Sequence, residues 1–255
     1  MSVARESRLG SGAFWELVKI EGKLALREPV SIIFGIGMPV LLLVIFGSIP
    51  IFQELVPGTS LTLFEIYIPI LITLVVIMIA LLGLPITLAR DREIGWLRRI
   101  STTPVSPSRL LAAHVVINLL LALVAIVVIL IGGATFFGVH MPQQPIGFVL
   151  SMILVTVALF GLGLVVAAVA STEKMAAALA QLLLYPLLFF AGVYFPGIYF
   201  PAYLSAISGF TPVGAAVAGM TDALKGTFPS IQALLVMAAY AIVFGLVAVR
   251  YFRWE

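Results

Sequence analysis

The sequence predicts an all-α, polytopic membrane protein with six transmembrane helices, and three observations carry that prediction. Six runs lack Asp, Glu, Lys and Arg and each is close to the ~20 residues needed to cross ~30 Å of hydrocarbon. Of the 255 residues, 62% are hydrophobic and only 10% charged, and the mean hydropathy is +1.23, far outside the range of soluble domains. Lys and Arg are also distributed one-sidedly between the runs, which is how a multi-pass chain fixes its orientation.

The runs are 30–49, 66–89, 110–131, 146–170, 175–194 and 231–249. Before them, 13–27 reads as an amphipathic interfacial helix. Glu16, Lys19, Lys23 and Arg27 share one face, and Phe14, Leu17, Val18, Leu24 and Ala25 the other. Glu21 and Glu28 fall on or beside the apolar side, where an acid needs either headgroup water or a basic partner. The first apolar run is too long for a signal peptide and lacks a small-residue cleavage site.

Span one contains Gly35, Gly37 and Pro39, and span two contains Pro69 and Pro85. Proline in a membrane helix frees a carbonyl and bends the axis, with neighbours satisfying the freed group. Pro85 stands one turn before the charged segment, where a bend would let motion of that segment deflect span two. In span three, His114 and Asn118 are four residues apart on one face, a spacing that suits a hydrogen bond between helices better than a metal or proton site. Gly132, Gly133, His140, Pro142 and Pro145 mark the next loop, with His140 expected in solvent. Gly163, Ala167 and Ser171 recur every fourth residue, a packing face for close approach within the chain or between two chains. Ser171 to Lys174 is short enough to make spans four and five a tight hairpin.

The stretch 195–228 is too apolar for a free loop and too interrupted by Pro196, Pro201, Gly209, Pro212, Gly214 and Gly219 for a span. It reads as short re-entrant half-helices, because irregular backbone at that depth must be sheltered by protein or water.

Placing both termini, the 90–109 segment and Lys174 on the cytoplasmic side puts 13 of the 14 Lys and Arg there. The segment from Arg90 to Arg109, RDREIGWLRRISTTPVSPSR, is the most charged interval between spans. Within it, 92–100 reads as a short amphipathic helix, with Ile94, Leu97 and Ile100 on one side and Arg92 and Arg99 on the other. Ser106 and Pro107 suit the start of the next helix.

The run Arg90 to Arg99, then Thr103-Pro104-Val105-Ser106-Pro107 and Leu110-Leu111, resembles the cytoplasmic loop of the ABC type-2 transporter permeases. The likeness extends to Arg27-Glu28-Pro29, the span four and five hairpin, and the Phe-Pro pairs of the 195–228 stretch, and so covers most of residues 1–255 as a single transmembrane domain. Trp96 departs from it, since the family often has a small hydroxyl residue there. The resemblance implies that 92–100 is a coupling helix docking on a separate ATPase. Arg92, Glu93, Ile94, Trp96, Leu97, Arg98 and Arg99 would then transmit its closure, with Leu97 and Ile94 as apolar anchors. It further implies a second permease subunit, identical or paralogous, export of a drug, lipid or glycolipid, and a bacterial plasma-membrane location.

The chain has no GxxxxGK[ST] phosphate loop and no cysteine, so ATP and Mg are expected in the partner subunit, with no cofactor on this chain. Neither catalytic residues nor metal ligands assemble from two distant histidines, and nucleic acid is not an expected partner. A secondary transporter would place ionisable groups at the bilayer midplane, where these six runs have none. A non-transporting membrane scaffold remains compatible with the composition.

Overall fold

In a computed structural model, the described residues are 18–19, 22–24, 33–95 and 107–251, the side chains of 34 and 107–110 excepted. Among them the regular structure is helical. The elements are α1 (Met38–Ser48), preceded by a π turn at Ile33–Gly37, then α2 (Leu63–Met78), a π turn at Ile79–Gly83, and α3 (Leu84–Glu93). These are followed by α4 (Pro107–Phe137), α5 (Pro145–Val169), α6 (Glu173–Phe190), α7 (Ala202–Gly209), α8 (Pro212–Leu224) and α9 (Ile231–Tyr251). Among the described residues five helices are long and apolar enough to cross a membrane: 63–93, 111–137, 145–169, 173–190 and 231–251. The described helical part of span one, by contrast, is only 33–48.

Span two is the centre of the bundle. Of its most apolar 18 residues 89% are buried, against 17–56% in the other four helices. Phe64, Ile68, Leu71, Ile72, Leu74, Ile77, Leu81, Leu84 and Leu88 are all within 1% of complete burial. Helices α4 and α9 instead turn Leu123, Val127, Ile131, Leu235, Ile242 and Leu246 outward, as helices bordered by lipid must.

The span is longer than 66–89 at both ends because polar residues at each end find partners. At its start, the Glu65 carboxylate accepts the Thr62 N–H at 2.8 Å while Thr62 Oγ1 accepts the Glu65 N–H at 3.2 Å. This reciprocal capping box satisfies two otherwise orphaned donors. His140, expected in solvent, closes on the same acid: its Nδ1 lies 2.7 Å from Glu65 Oε1 and its backbone N–H donates to that oxygen at 3.2 Å. Its ring is nonetheless 85% exposed, whereas Glu65 is 5% exposed.

Span three runs six residues past its expected end at Ile131. Gly132 and Gly133 are helical, and a Cβ at either would press on Leu43 or Ile68 at 3.3 Å; the turn falls instead at Gly138, where φ is +68°. Span five stops at Phe190 rather than Tyr194, with Gly192 at φ +84° leading the chain away.

Contacts orient the bundle. Asp91, His114, Ala170 and Glu173 meet at one end, here called the charged end. Glu65, His140, Gln144 and Ala223 lie at the far end. Pro229 abuts Gly147 at the start of α5, so α9 also begins at the far end and carries Tyr251 to the charged end.

The stretch 195–228 leaves α6 at the far end and returns there. Its helices α7 and α8 meet at 98°, and since the stretch starts and ends at the far end the pair does not cross the bundle. Thr211 makes the corner, donating to Ser208 O at 2.8 Å and accepting the Gly214 N–H at 3.1 Å. Ser208 Oγ in turn donates to Phe190 O at 3.1 Å, tying the corner to the end of α6.

Gly163 of α5 faces the Ala80 carbonyl in the π turn so closely that a Cβ would collide with backbone. Gly163→Val therefore lowers thermal stability in detergent by about 1–3 kcal/mol or prevents folding, whereas Gly245→Ala, with open space at its Cβ, leaves it equal or higher. Thr62→Val removes the cap of span two and lowers stability by about 1 kcal/mol, read in the same melting assay.

Candidate functional site: the charged end of span two

The site begins with the last turn of α3. The sequence Arg90-Asp91-Arg92-Glu93 continues the helix, Ile94 caps it with its N–H on Arg90 O, and Gly95 turns the chain away at φ +70°. An independent helix over 92–100 is therefore corrected at its start, since Arg92 and Glu93 belong to span two. The left-handed Gly95, which L side chains disfavour, is what separates them from the rest. Trp96, Leu97, Arg98 and Arg99 lie outside the described residues, as do Glu21 and Arg27.

Three consecutive residues then reach three different helices. Asp91 Oδ2 lies 3.2 Å from His114 Nε2 in α4, an inter-helix bond in which both side chains are largely buried. Arg92 Nη1 donates to Ala167 O at 3.1 Å and to Ala170 O at 3.0 Å. These two carbonyls close α5, so the guanidinium sits at the negative end of that helix. Glu93 Oε2 accepts the Glu173 N–H at 2.9 Å, one of the orphan donors at the positive end of α6. Thr172 caps the same helix from inside, its Oγ1 accepting the Met175 N–H at 3.2 Å.

The magnitudes differ. Hydrogen bonds from a charged donor in partly buried surroundings contribute about 1.5–3 kcal/mol, so the Arg92 pair dominates. Glu93 is exposed, and an exposed charge at a helix end contributes about 0.3–1 kcal/mol. Beneath these polar contacts Ala89, Ala170 and Ala176 form a small buried apolar cluster, with the partly buried Ile86 and Leu179 packed against it.

The small-residue face divides. Gly163 and Ala167 pack inside the chain, Gly163 against Ala80 and Ala167 fully buried, whereas Ser171 is exposed, its hydroxyl 3.6 Å from Met175 Sδ. Asn118 donates to His114 O at 2.9 Å, and its Oδ1 would stand 2.9 Å from a Cβ at Gly83. Span three thus touches the π turn of span two directly. In that turn Leu84 N–H bonds Ile79 O, five residues back, just ahead of Pro85, which has no N–H to give.

Of the remaining residues, Ile94 is 62% exposed at the break. Lys19 and Lys23 are exposed on helical backbone while Val18 is buried. Among the described residues no group of three His, Cys, Asp or Glu side chains is placed to hold a metal ion.

Sequence reasoning missed the two outermost contacts of span two. Thr62-x-x-Glu65 is a capping-box signature visible in the sequence. The Arg92 and Glu93 contacts bridge 75 to 80 residues and leave no local signal.

No curated protein matches the chain. The profile of the family described as ABC-2 type transporter matches residues 12–225, which include the π turn, the charged end of span two, the hairpin of spans four and five, and the bent pair α7 and α8. With most of its length so matched and its helices arranged as a multi-pass bundle, the chain belongs to the ABC-2 type transporter family and is a membrane-embedded permease subunit.

Proposed function

We propose that this permease is the transmembrane half-pathway of an ATP-driven exporter. It moves a hydrophobic or amphipathic cargo, such as a drug, lipid or glycolipid, outward across a bacterial plasma membrane. Two such subunits, identical or paralogous, stand on two separate ATPase subunits, which hold ATP and Mg. Both termini and the charged end face the cytoplasm.

The observation that carries this reading is the attachment of the charged segment to the most buried helix of the bundle. A force applied beyond Gly95 enters span two along its axis, below a π turn and a proline, rather than a lipid-facing helix that would slip in its surroundings. Ile94, exposed beside the break, supports an apolar contact with a partner there, continuing into Leu97. The gathering of Lys19, Lys23, Arg90, Arg92, Lys174 and Arg250 toward one end, with Lys225 at the other, supports the sidedness. The outward apolar faces of α4 and α9 fit lipid, and a cargo that shares their chemistry fits the same bundle.

Leu97→Asp is expected to weaken docking of the ATPase about tenfold or more, equivalent to about 1.4 kcal/mol, and to abolish vanadate-sensitive hydrolysis coupled to transport. Insertion and melting of the permease alone stay unchanged. Co-purification with the ATPase at wild-type yield would remove Leu97 from the contact.

A further inference from the structure

Arg92 and Glu93 are neighbours in sequence with opposite charges, and they grip the two sides of one hairpin. Their partners, Ala167 and Ala170 on one side and Glu173 on the other, flank the connector 171–172. Side chains at i and i+1 diverge by about 100° around a helix. They can therefore serve a helix C-terminus and a helix N-terminus together only where those ends lie side by side. The short connector guarantees that, and the signs match: the cation meets carbonyls and the anion meets an N–H.

Resting on the permease reading, we propose that Arg92 and Glu93 are positioning residues that make the inner hairpin of spans four and five move as one piece with α3. Displacement of the charged segment then reaches α5 and α6 as directly as it reaches span two. The piece ends above at the π turn Ile79–Gly83, where Gly163 lets the α5 backbone lie against the Ala80 carbonyl. A π turn already holds an extra residue in its ladder and shifts by exchanging i+4 for i+5 bonds. Flexing is assigned there, and rigidity to Leu84–Glu93 together with the hairpin.

Because the chain has no cysteine, spin labels can be placed by pairs of single substitutions. In the full chain in lipid nanodiscs, labels at Ile94→Cys and Lys174→Cys, both exposed, are expected to give one narrow distance distribution. Arg92→Met, which keeps the apolar stem and removes the donors, broadens it about twofold by local release; Glu93→Ala does so less, and Arg92→Lys restores the narrow peak. A second pair, Ser60→Cys and Met141→Cys at the far end, stays unchanged in every variant. A narrow 94–174 peak in Arg92→Met overturns the proposal, as does equal broadening at both ends, which would make the contact general glue.

In the complex with its ATPase, the Ser60–Lys174 pair shifts on vanadate trapping in the wild-type background. Arg92→Met loses that shift while ATP hydrolysis continues, and a shift retained in Arg92→Met overturns the proposal. If no ATPase associates at all, the permease reading fails, and the nanodisc pairs still decide whether the clamp exists.

Discussion

The structure depends on opposite charges placed one residue apart at the end of its most buried helix. Apolar helices in lipid have little to fix their register along one another, because sliding exchanges one hydrocarbon contact for another. Arg92 on the carbonyls of Ala167 and Ala170, and Glu93 on the Glu173 N–H, supply what packing alone does not. They set the height of span two against spans four and five. Asp91 on His114 sets it against span three. The contacts are strong for an environmental reason. Where surroundings are less polar than water, a guanidinium left without acceptors costs several kcal/mol, so the helix end that accepts from its Nη1 becomes hard to leave.

Close packing and polar contact are produced by the same face of α5. Gly163 admits the Ala80 carbonyl, and one turn later Ala167 is fully buried and offers its own carbonyl to Arg92. A larger residue at either position would move the two backbones apart and lengthen the guanidinium contact. The alanine cluster of Ala89, Ala170 and Ala176 extends that tight fit to α6. Small residues here bring helix ends within reach of side chains on a neighbouring helix, a role beyond that of filling space.

Most of the architecture was legible in the sequence, because apolar runs of helical length and Pro-rich interruptions are local properties. The boundaries were less so. Reading spans as stretches free of charge cut span two at 66–89, whereas Glu65 and Arg92 extend it by finding partners that lie tens of residues away. Gly132 and Gly133 read as loop residues but lie inside α4, where α1 and α2 leave little room for a side chain. His140 looked solvated, and its ring is exposed, but one ring nitrogen turns inward to a buried acid. The charged segment stands out between the spans by its composition and order. That its first residues face inward, to the hairpin, follows from tertiary contact, and the left-handed Gly95 ends the helix just after them.

The two ends of span two are fastened differently, and that asymmetry assigns the parts of the bundle. At the far end the capping box of Thr62 and Glu65 holds the first turn within its own helix, and His140 ties that turn to the one after α4. The bent pair α7 and α8 lies nearby, with α8 buried along most of its length. This end is braced by contacts that do not involve the charged segment. At the charged end, every polar contact of Asp91, Arg92 and Glu93 described above links α3 to another helix. Between them lies the π turn, where Gly83 lies close to the Asn118 side chain of span three and the Ala80 carbonyl meets Gly163 of span four at a distance only glycine allows. Under the proposed coupling, a displacement entering at Gly95 would meet a braced far end and a clamped near end, and the strain would fall on the five residues between them, where the helical ladder already departs from its regular spacing.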